Sequence, residues 1–313
     1  MNVNRAPVGS RSIWPLLVPP FFAVYLGVTF AAGRLGIEHL ALAVGCLLLV
    51  FWNPASRRAF AEALPFLAFL VGYDLFRYPR AALVSSGRVV GCELRDVELS
   101  LFPAGANLTW PGYFELHHAP WFDVIAAVPY FAFVYVVVGY GLFLWFKDRQ
   151  RMRRFLWAFT LGNYFAFVFW LVVPAAPPWY IHQHGCEIQA AALPSAAALA
   201  RVDDMLGITY FRSLYSQASA VFGAMPSLHC AYPVMGLLVA WKHAGWRSRT
   251  VHILYSAWMA ISAVYLNHHW ILDVFAGWFV AGASVWCAGK LLGWFSVQRH
   301  PAAALTSSSE ATA

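Results

Sequence analysis

A chain of 313 residues with 61% hydrophobic and only 11% charged side chains is far more apolar than a soluble domain, in which charged residues make up about a quarter. The net charge of +7 does not point to nucleic acid, because the basic residues cluster in short segments between apolar runs, the pattern of membrane topology. Five cysteines fit no metal spacing, which argues against a zinc site.

The first apolar run follows Arg5 and Arg11 and imitates a signal peptide, but it stays apolar from Trp14 to about Ala32. That is enough to cross a hydrocarbon core of roughly 30 Å, so it is read as a retained first helix. Further runs follow at about 38–53, 59–76, 121–146, 154–174, 227–242, 250–267 and 271–293, the second and sixth spans being short. Lipid offers no partner to backbone polar groups, so each run is read as a helix. The expected fold is all-α: a polytopic membrane helix bundle of about eight transmembrane helices (six to eight). Residues 1–298 form one integral membrane domain with a catalytic core at about 121–295, and 299–313 form a disordered cytoplasmic tail.

Basic loops at Arg57-Arg58, Lys147 to Arg154 and Lys242 to Arg249, with Lys290 and Arg299 flanking the last helix, fall on one side together with Arg5 and Arg11. The positive-inside rule then places both termini in the cytoplasm. Two long segments, about 77–120 and 175–226, fall on the extracytoplasmic side, and loops of that length usually carry function. Cys92 and Cys186 lie there, one in each. An oxidising compartment lets them pair; two unpaired, partly buried thiols are the alternative.

Two segments at the extracytoplasmic boundary carry chemistry. Gly223-Ala224-Met225-Pro226-Ser227-Leu228-His229 opens the sixth span, with Pro226 suited to a first helical turn and His229 facing the free N–H groups of a helix N-terminus. Tyr265-Leu266-Asn267-His268-His269-Trp270-Ile271-Leu272-Asp273 crosses the turn between the seventh and eighth. On a helix, positions four apart are about 40° apart and positions five apart about 140°, so Asp273 aligns with His269 rather than His268. A carboxylate accepting the Nδ1 proton would fix the tautomer and leave Nε2 as a nucleophile.

These motifs resemble the type-2 phosphatidic acid phosphatase superfamily, and within it the fungal inositol phosphorylceramide synthase branch. The resemblance rests on Ala176-Pro177-Pro178-Trp179-Tyr180, Leu199-Ala200-Arg201-Val202-Asp203, Phe222 to His229 and Tyr265 to His269. It covers about residues 170–280 well and the N-terminal helices loosely. It implies that His269 is the nucleophile taking the phosphoryl group, Asp273 its orienting partner and His229 the acid that protonates the leaving alcohol. Two departures stand out. The phosphatases carry a Lys-x6-Arg-Pro element and an Arg six residues before the nucleophile, where this chain has Ala263. A phosphomonoester brings nearly two negative charges and a diester one, so the missing cations favour a diester substrate.

Arg77, Arg80, Arg88, Arg95, Arg201 and Arg212 are the extracytoplasmic cations, with Arg201 favoured by the resemblance and Arg77 by Asp74 three residues before it. Ser227, Trp179 and Tyr180 complete the expected substrate-binding set, Trp179 lining a lipid groove. Neither His117-His118 nor His182-x-His184 gains a third metal ligand, and no metal or cofactor is expected. The expected activity moves a phosphoryl-linked headgroup, inositol phosphate by resemblance, from a phospholipid donor to a lipid hydroxyl such as that of ceramide, through a phosphohistidine. A lipid phosphate phosphatase and a non-catalytic lipid transporter are the alternatives. If the chain is bacterial, its place is the inner (plasma) membrane, with the active site facing outward.

Overall fold

The computed structural model describes residues 14–189, 192–218 and 221–299. The tail expected over 299–313 lies, from residue 300 on, outside the described residues, as do Arg5 and Arg11. The chain divides into two compact units, up to Leu64 and from Pro65 onward.

In the first unit a 3-10 turn at Trp14–Leu17 leads into α1 (Val18–Ala31), followed by α2 (Ile37–Phe51). Asn53 then opens α3 (Pro54–Leu83): its side-chain oxygen accepts from Ala55 and Ser56 N–H at 2.8 Å each, and Pro54 supplies a residue with no N–H to satisfy. Trp14 stacks on Phe60 at 5.9 Å.

From Pro65 onward the elements are the rest of α3, α4 (Cys92–Leu101), a two-stranded antiparallel hairpin of β1 (Pro103–Gly105) and β2 (Leu108–Thr109), α5 (Trp110–Leu116), α6 (Pro120–Lys147), α7 (Arg149–Val172), α8 (Pro178–His184), α9 (Leu199–Leu206), α10 (Tyr210–Ser216), α11 (Leu228–Ala240), α12 (Trp246–Tyr265) and α13 (Ile271–Arg299). α11 packs against α7, α12 and α13 and so occupies the centre. Its buried face, including Ala231, Met235 and Val239, meets Phe155, Phe159 and Ala281. The outer faces are apolar too: Phe131, Tyr135, Phe146, Phe279 and Trp286 are exposed. Large apolar side chains on that scale suit lipid rather than water.

Helices form at all eight expected spans. Five stretches are long and apolar enough to cross a membrane: Trp14–Ala31, Pro54–Arg80, Pro120–Lys147, Arg149–Val172 and Ile271–Trp294. Ile37–Phe51 and Leu228–Ala240 are shorter apolar helices. α12 starts earlier than expected, taking in Arg247 and Arg249. The protein is an integral membrane protein built of helices. Prolines inside the spans are accommodated locally: Pro129 cannot donate to the Ile125 carbonyl, and the Trp258 indole N–H of α12 takes that oxygen at 3.1 Å.

The two long segments are more ordered than their irregular composition suggested. They hold five short helices, α4, α5, α8, α9 and α10, and they are joined to each other and to the entry of α11. Ala176 N–H donates to the Val90 carbonyl at 2.8 Å, Ala175 N–H to the Phe222 carbonyl at 3.0 Å and Ala224 N–H to the Ala175 carbonyl at 3.2 Å. Residues 90, 175 and 223 thus make consecutive parallel bridges, with Ala175 in the middle. A disulfide joins Cys92 to Cys186, so the pairing alternative holds and the two-thiol alternative does not.

Candidate active site

The site forms where the start of α11 meets the α12–α13 turn. Pro226 is not in the first helical turn as expected; the helix begins two residues later. Ser227 is the N-cap, its Oγ accepting from Cys230 N–H at 3.3 Å, because an extended cap residue with a hydroxyl satisfies a first-turn donor that proline cannot. The Ser227 N–H donates to the Asp273 main-chain carbonyl at 3.0 Å. This close approach of α13 requires Gly277, where a Cβ would collide with the Ser227 carbonyl. The buried Ser227 hydroxyl is therefore a helix cap in this structure.

His269 does not lie on a helix. Residues 266–270 form a turn in which Asn267 adopts a left-handed conformation (φ 62°) and the N–H groups of His268 and His269 both donate to the Ala263 carbonyl at 3.1 Å. α13 starts only at Ile271. The His269–Asp273 proximity therefore arises from capping rather than from helical phase. Asp273 Oδ2 accepts from the Trp270 N–H at 2.8 Å and sits 3.5 Å from His269 Nδ1. The group that takes the Nδ1 proton is the Ala224 carbonyl at 2.9 Å. The expected Asp273–Nδ1 hydrogen bond is corrected accordingly: the carboxylate is turned to its own helix end, and the carbonyl lies nearer. Asp273 binds the turn through the Trp270 N–H and, through its main-chain carbonyl, Ser227.

With Nδ1 bound to a carbonyl, Nε2 of His269 carries the lone pair, and it faces His229 Nδ1 at 3.3 Å. Burial pushes the His269 imidazole down to about 4, partly opposed by the Ala224 hydrogen bond, so it is neutral at pH 7. His229 is half-buried, flanked by Tyr130 in parallel at 4.5 Å and Phe133 edge-on at 4.8 Å. His268 points the other way, between Tyr130 and Tyr215 at 5.0 and 4.7 Å.

Sequence reasoning missed the second support of this turn. Glu98, fully buried on α4, accepts from Ile271 N–H at 2.8 Å and Leu272 N–H at 3.2 Å, capping α13 from the first long segment. Burial raises its carboxyl and those two N–H groups lower it. Nothing in Cys92-Glu93-Leu94-Arg95-Asp96-Val97-Glu98 separates Glu98 from its acidic neighbours except that Leu94 and Glu98, four apart, share the buried face.

The expected substrate-binding cations are engaged elsewhere. Arg201 pairs with buried Asp123 at 2.8 Å and with Glu115 at 3.3 Å, and Glu115 in turn accepts from Asn267 Nδ2 at 2.6 Å. Arg201 is therefore linked to the 266–270 turn that carries His269 through Glu115 and Asn267. Arg77 pairs with Asp74 at 3.1 Å within α3. Arg88 donates to the Leu171 and Val172 carbonyls at the end of α7, Arg95 to Asp96, and Arg212 to Asp204. Trp179 and Tyr180 are buried. The Trp179 N–H donates to the Asn267 carbonyl at 3.1 Å, and the Tyr180 hydroxyl donates to the Glu187 carbonyl and accepts from Gln189 N–H. Ala263, where the phosphatases carry arginine, is fully buried in the core with no room for a long side chain. Among the described residues no group of three or more His, Cys, Asp or Glu could hold a metal.

A helical membrane protein with two histidines in contact and an aspartate four residues after the second has the build of the PAP2 superfamily, the type-2 phosphatidic acid phosphatases and their relatives. The profile of that superfamily matches residues 97–287, and the chain belongs to it. It is similar to the phosphoinositol dihydroceramide synthase of Bacteroides thetaiotaomicron, with 35% identity over 284 residues, 89% of this chain and 90% of the relative. It is also similar to the inositol phosphorylceramide synthase of Candida albicans (34% identity, 50% of this chain, 33% of the relative). A third relative is inositolphosphotransferase 1 of Saccharomyces cerevisiae (30% identity, 40% of this chain, 21% of the relative). No solved structure matches the chain. The protein is thus an enzyme of the inositol phosphorylceramide synthase type.

Proposed function

We propose that the protein transfers inositol phosphate from an inositol phospholipid to the primary hydroxyl of a ceramide-like lipid. The names of the relatives support the substrates. The observation that carries the chemistry is the alignment Ala224 carbonyl, His269 Nδ1, His269 Nε2, His229 Nδ1, with contacts of 2.9 and 3.3 Å at its two ends.

In the first half-reaction Nε2 of His269 attacks phosphorus in place of its contact with His229. The P–O bond to the diacylglycerol breaks, and protonated His229 gives its proton to the departing oxygen. In the second, His229 takes the proton of the acceptor hydroxyl, whose oxygen attacks phosphorus; the P–N bond breaks and the lone pair returns to Nε2. The Ala224 carbonyl stabilises the imidazole while it bears the phosphoryl group. The N-terminus of α11 offers its dipole and first-turn N–H groups to the phosphate oxygens. Such a donor is a diester with one negative charge, which suits a site where Ala263 replaces a cation and Arg201 is bound to two carboxylates. The site faces outward and both termini lie in the cytoplasm, in keeping with the basic loops.

The test is thin-layer chromatography of purified protein in vesicles containing phosphatidylinositol and a fluorescent ceramide. A slower-migrating inositol-containing product is expected, absent with His269→Ala. Faster release of phosphate from phosphatidic acid than transfer from phosphatidylinositol would overturn the reading in favour of a phosphatase.

A further inference from the structure

The acid–base histidine has an unusual charge environment. To protonate a leaving oxygen, His229 must carry a proton and therefore a positive charge at a half-buried site. Its Nδ1 faces His269, which is neutral. The carboxylate of Asp273 lies on α13 beside the far nitrogen of His269 and is bonded to Trp270 N–H. Asp123, higher on α6, is bound to Arg201 and His118. On α11 itself the adjacent titratable group is Cys230, and α10 contributes Tyr215 behind His268. None of these is a counter-ion in contact with His229.

What does touch the imidazole is the face of Tyr130. The two rings are stacked, 4.5 Å between centroids and 24° between planes, and Tyr130 is almost fully buried. A ring face is the negative pole of the aromatic quadrupole, and a cation within about 6 Å of it is stabilised, most when desolvated. Phe133 presents itself at 69° to the imidazole and does not offer a comparable parallel face. His268 also stacks on Tyr130, at 5.0 Å and 25° between planes, and is itself stacked on Tyr215 at 4.7 Å. Burial holds His268 well below the ordinary histidine range, with His229 and His269 nearby adding to that and its bond to the Ala196 backbone opposing it. A neutral ring stacked on Tyr130 neither competes for its π cloud nor repels a charge on His229.

We propose that Tyr130 is a positioning residue for proton transfer: its face orients the His229 ring toward His269 and stabilises that ring while it carries the proton destined for the leaving oxygen. The role of His229 as acid rests on the function proposed above; the stack does not. His268 and Tyr215 complete the device by holding the Tyr130 ring in place through the second stack. The hydroxyl of Tyr130 has no hydrogen-bond partner among the described residues, which directs attention to the ring.

The experiment replaces Tyr130 with Phe and then with mono-, di- and trifluorinated phenylalanine in the full-length protein, a series that drains the π face while nearly keeping its shape. The first readout is the pH midpoint for reaction of His229 with diethylpyrocarbonate, followed on its peptide by mass spectrometry without substrate. The second is the alkaline limb of kcat/KM for the donor. Tyr130→Phe should leave both nearly in place. Trifluorination should move both down by about half a unit to one unit, since the protonated form loses its stabilisation. A midpoint unmoved along the series, or moved as far by Phe as by the trifluorinated ring, overturns the proposal. Because the first readout involves no turnover, it judges the stack even if the transferred group proves to be something else.

Discussion

In the proposed mechanism, His269 owes its attacking nitrogen to a main-chain oxygen. The Ala224 carbonyl holds Nδ1 and burial keeps the ring neutral, so no proton has to be removed before attack at pH 7. The same burial has a stability consequence. An unfolded histidine takes up a proton near pH 6.5, whereas folded His269 resists until about 4 and His268 is held well below the ordinary value. In that window the unfolded state binds more protons, so stability falls as pH falls, by about 1.4 kcal/mol per pH unit for each such histidine. Thermal unfolding in detergent between pH 7 and 5 should therefore be steeper in pH for the natural protein than for His268→Gln; equal slopes would mean that His268 does not resist protonation. That His229, His269 and Asp273 come together could be read from Pro-Ser-x-His and His-x3-Asp, because side chains able to react are confined to few residue types. Ala224 could not be read as a partner, because its contribution is a carbonyl that every residue possesses. Tyr130 could not, because in a run of apolar residues a tyrosine reads as one more packed ring.

At the scale of elements, the turn that carries His269 is held by helix ends. α13 begins two residues after His269; Asp273 from within accepts the N–H of Trp270 just before it, and Glu98 from α4 caps its first N–H groups, those of Ile271 and Leu272. Unsatisfied buried donors cost about 1–3 kcal/mol each. Glu98→Ala should thus lower the unfolding midpoint and, by loosening Ile271 and Leu272, lower turnover as well; Glu98→Gln, which keeps one acceptor, should lose less of both. An alanine variant as stable and as active as the natural protein would show that α13 needs no cap from α4. Long apolar runs announced α1, α2, α3, α6, α7, α11, α12 and α13, although α3 (54–83 against 59–76) and α13 (271–299 against 271–293) run well past the apolar stretch that marked them. The helices of the two long segments were hidden: seven to ten residues give too few turns for a periodic signal, and their faces are decided by the bridges through Ala175 and by the disulfide, both non-local.

At the scale of the whole molecule, the disulfide spans 94 residues of sequence and fastens the segment carrying Glu98 to the segment carrying Trp179. Cross-links of native loops typically contribute about 2–4 kcal/mol. Cys92→Ala with Cys186→Ala should lower the unfolding midpoint and reduce headgroup transfer, and dithiothreitol should do the same to the natural protein while leaving the double variant unaffected. Full activity and stability in the double variant would confine the bridge to a passive role.

Glu98 and the helix it caps are separated by 173 positions in the chain. At about 5–20 residues per second, a ribosome needs roughly 9–35 s to travel that distance. Throughout that interval the carboxylate waits without the N–H groups it will cap, and the nucleophile has not yet been made. On the proposed mechanism, activity therefore cannot arise before α13 has been added to the chain. If His269 is the nucleophile proposed above, a chain cut short before that turn lacks both the attacking nitrogen and the helix start that places it, and is expected to be inert toward the lipids around it.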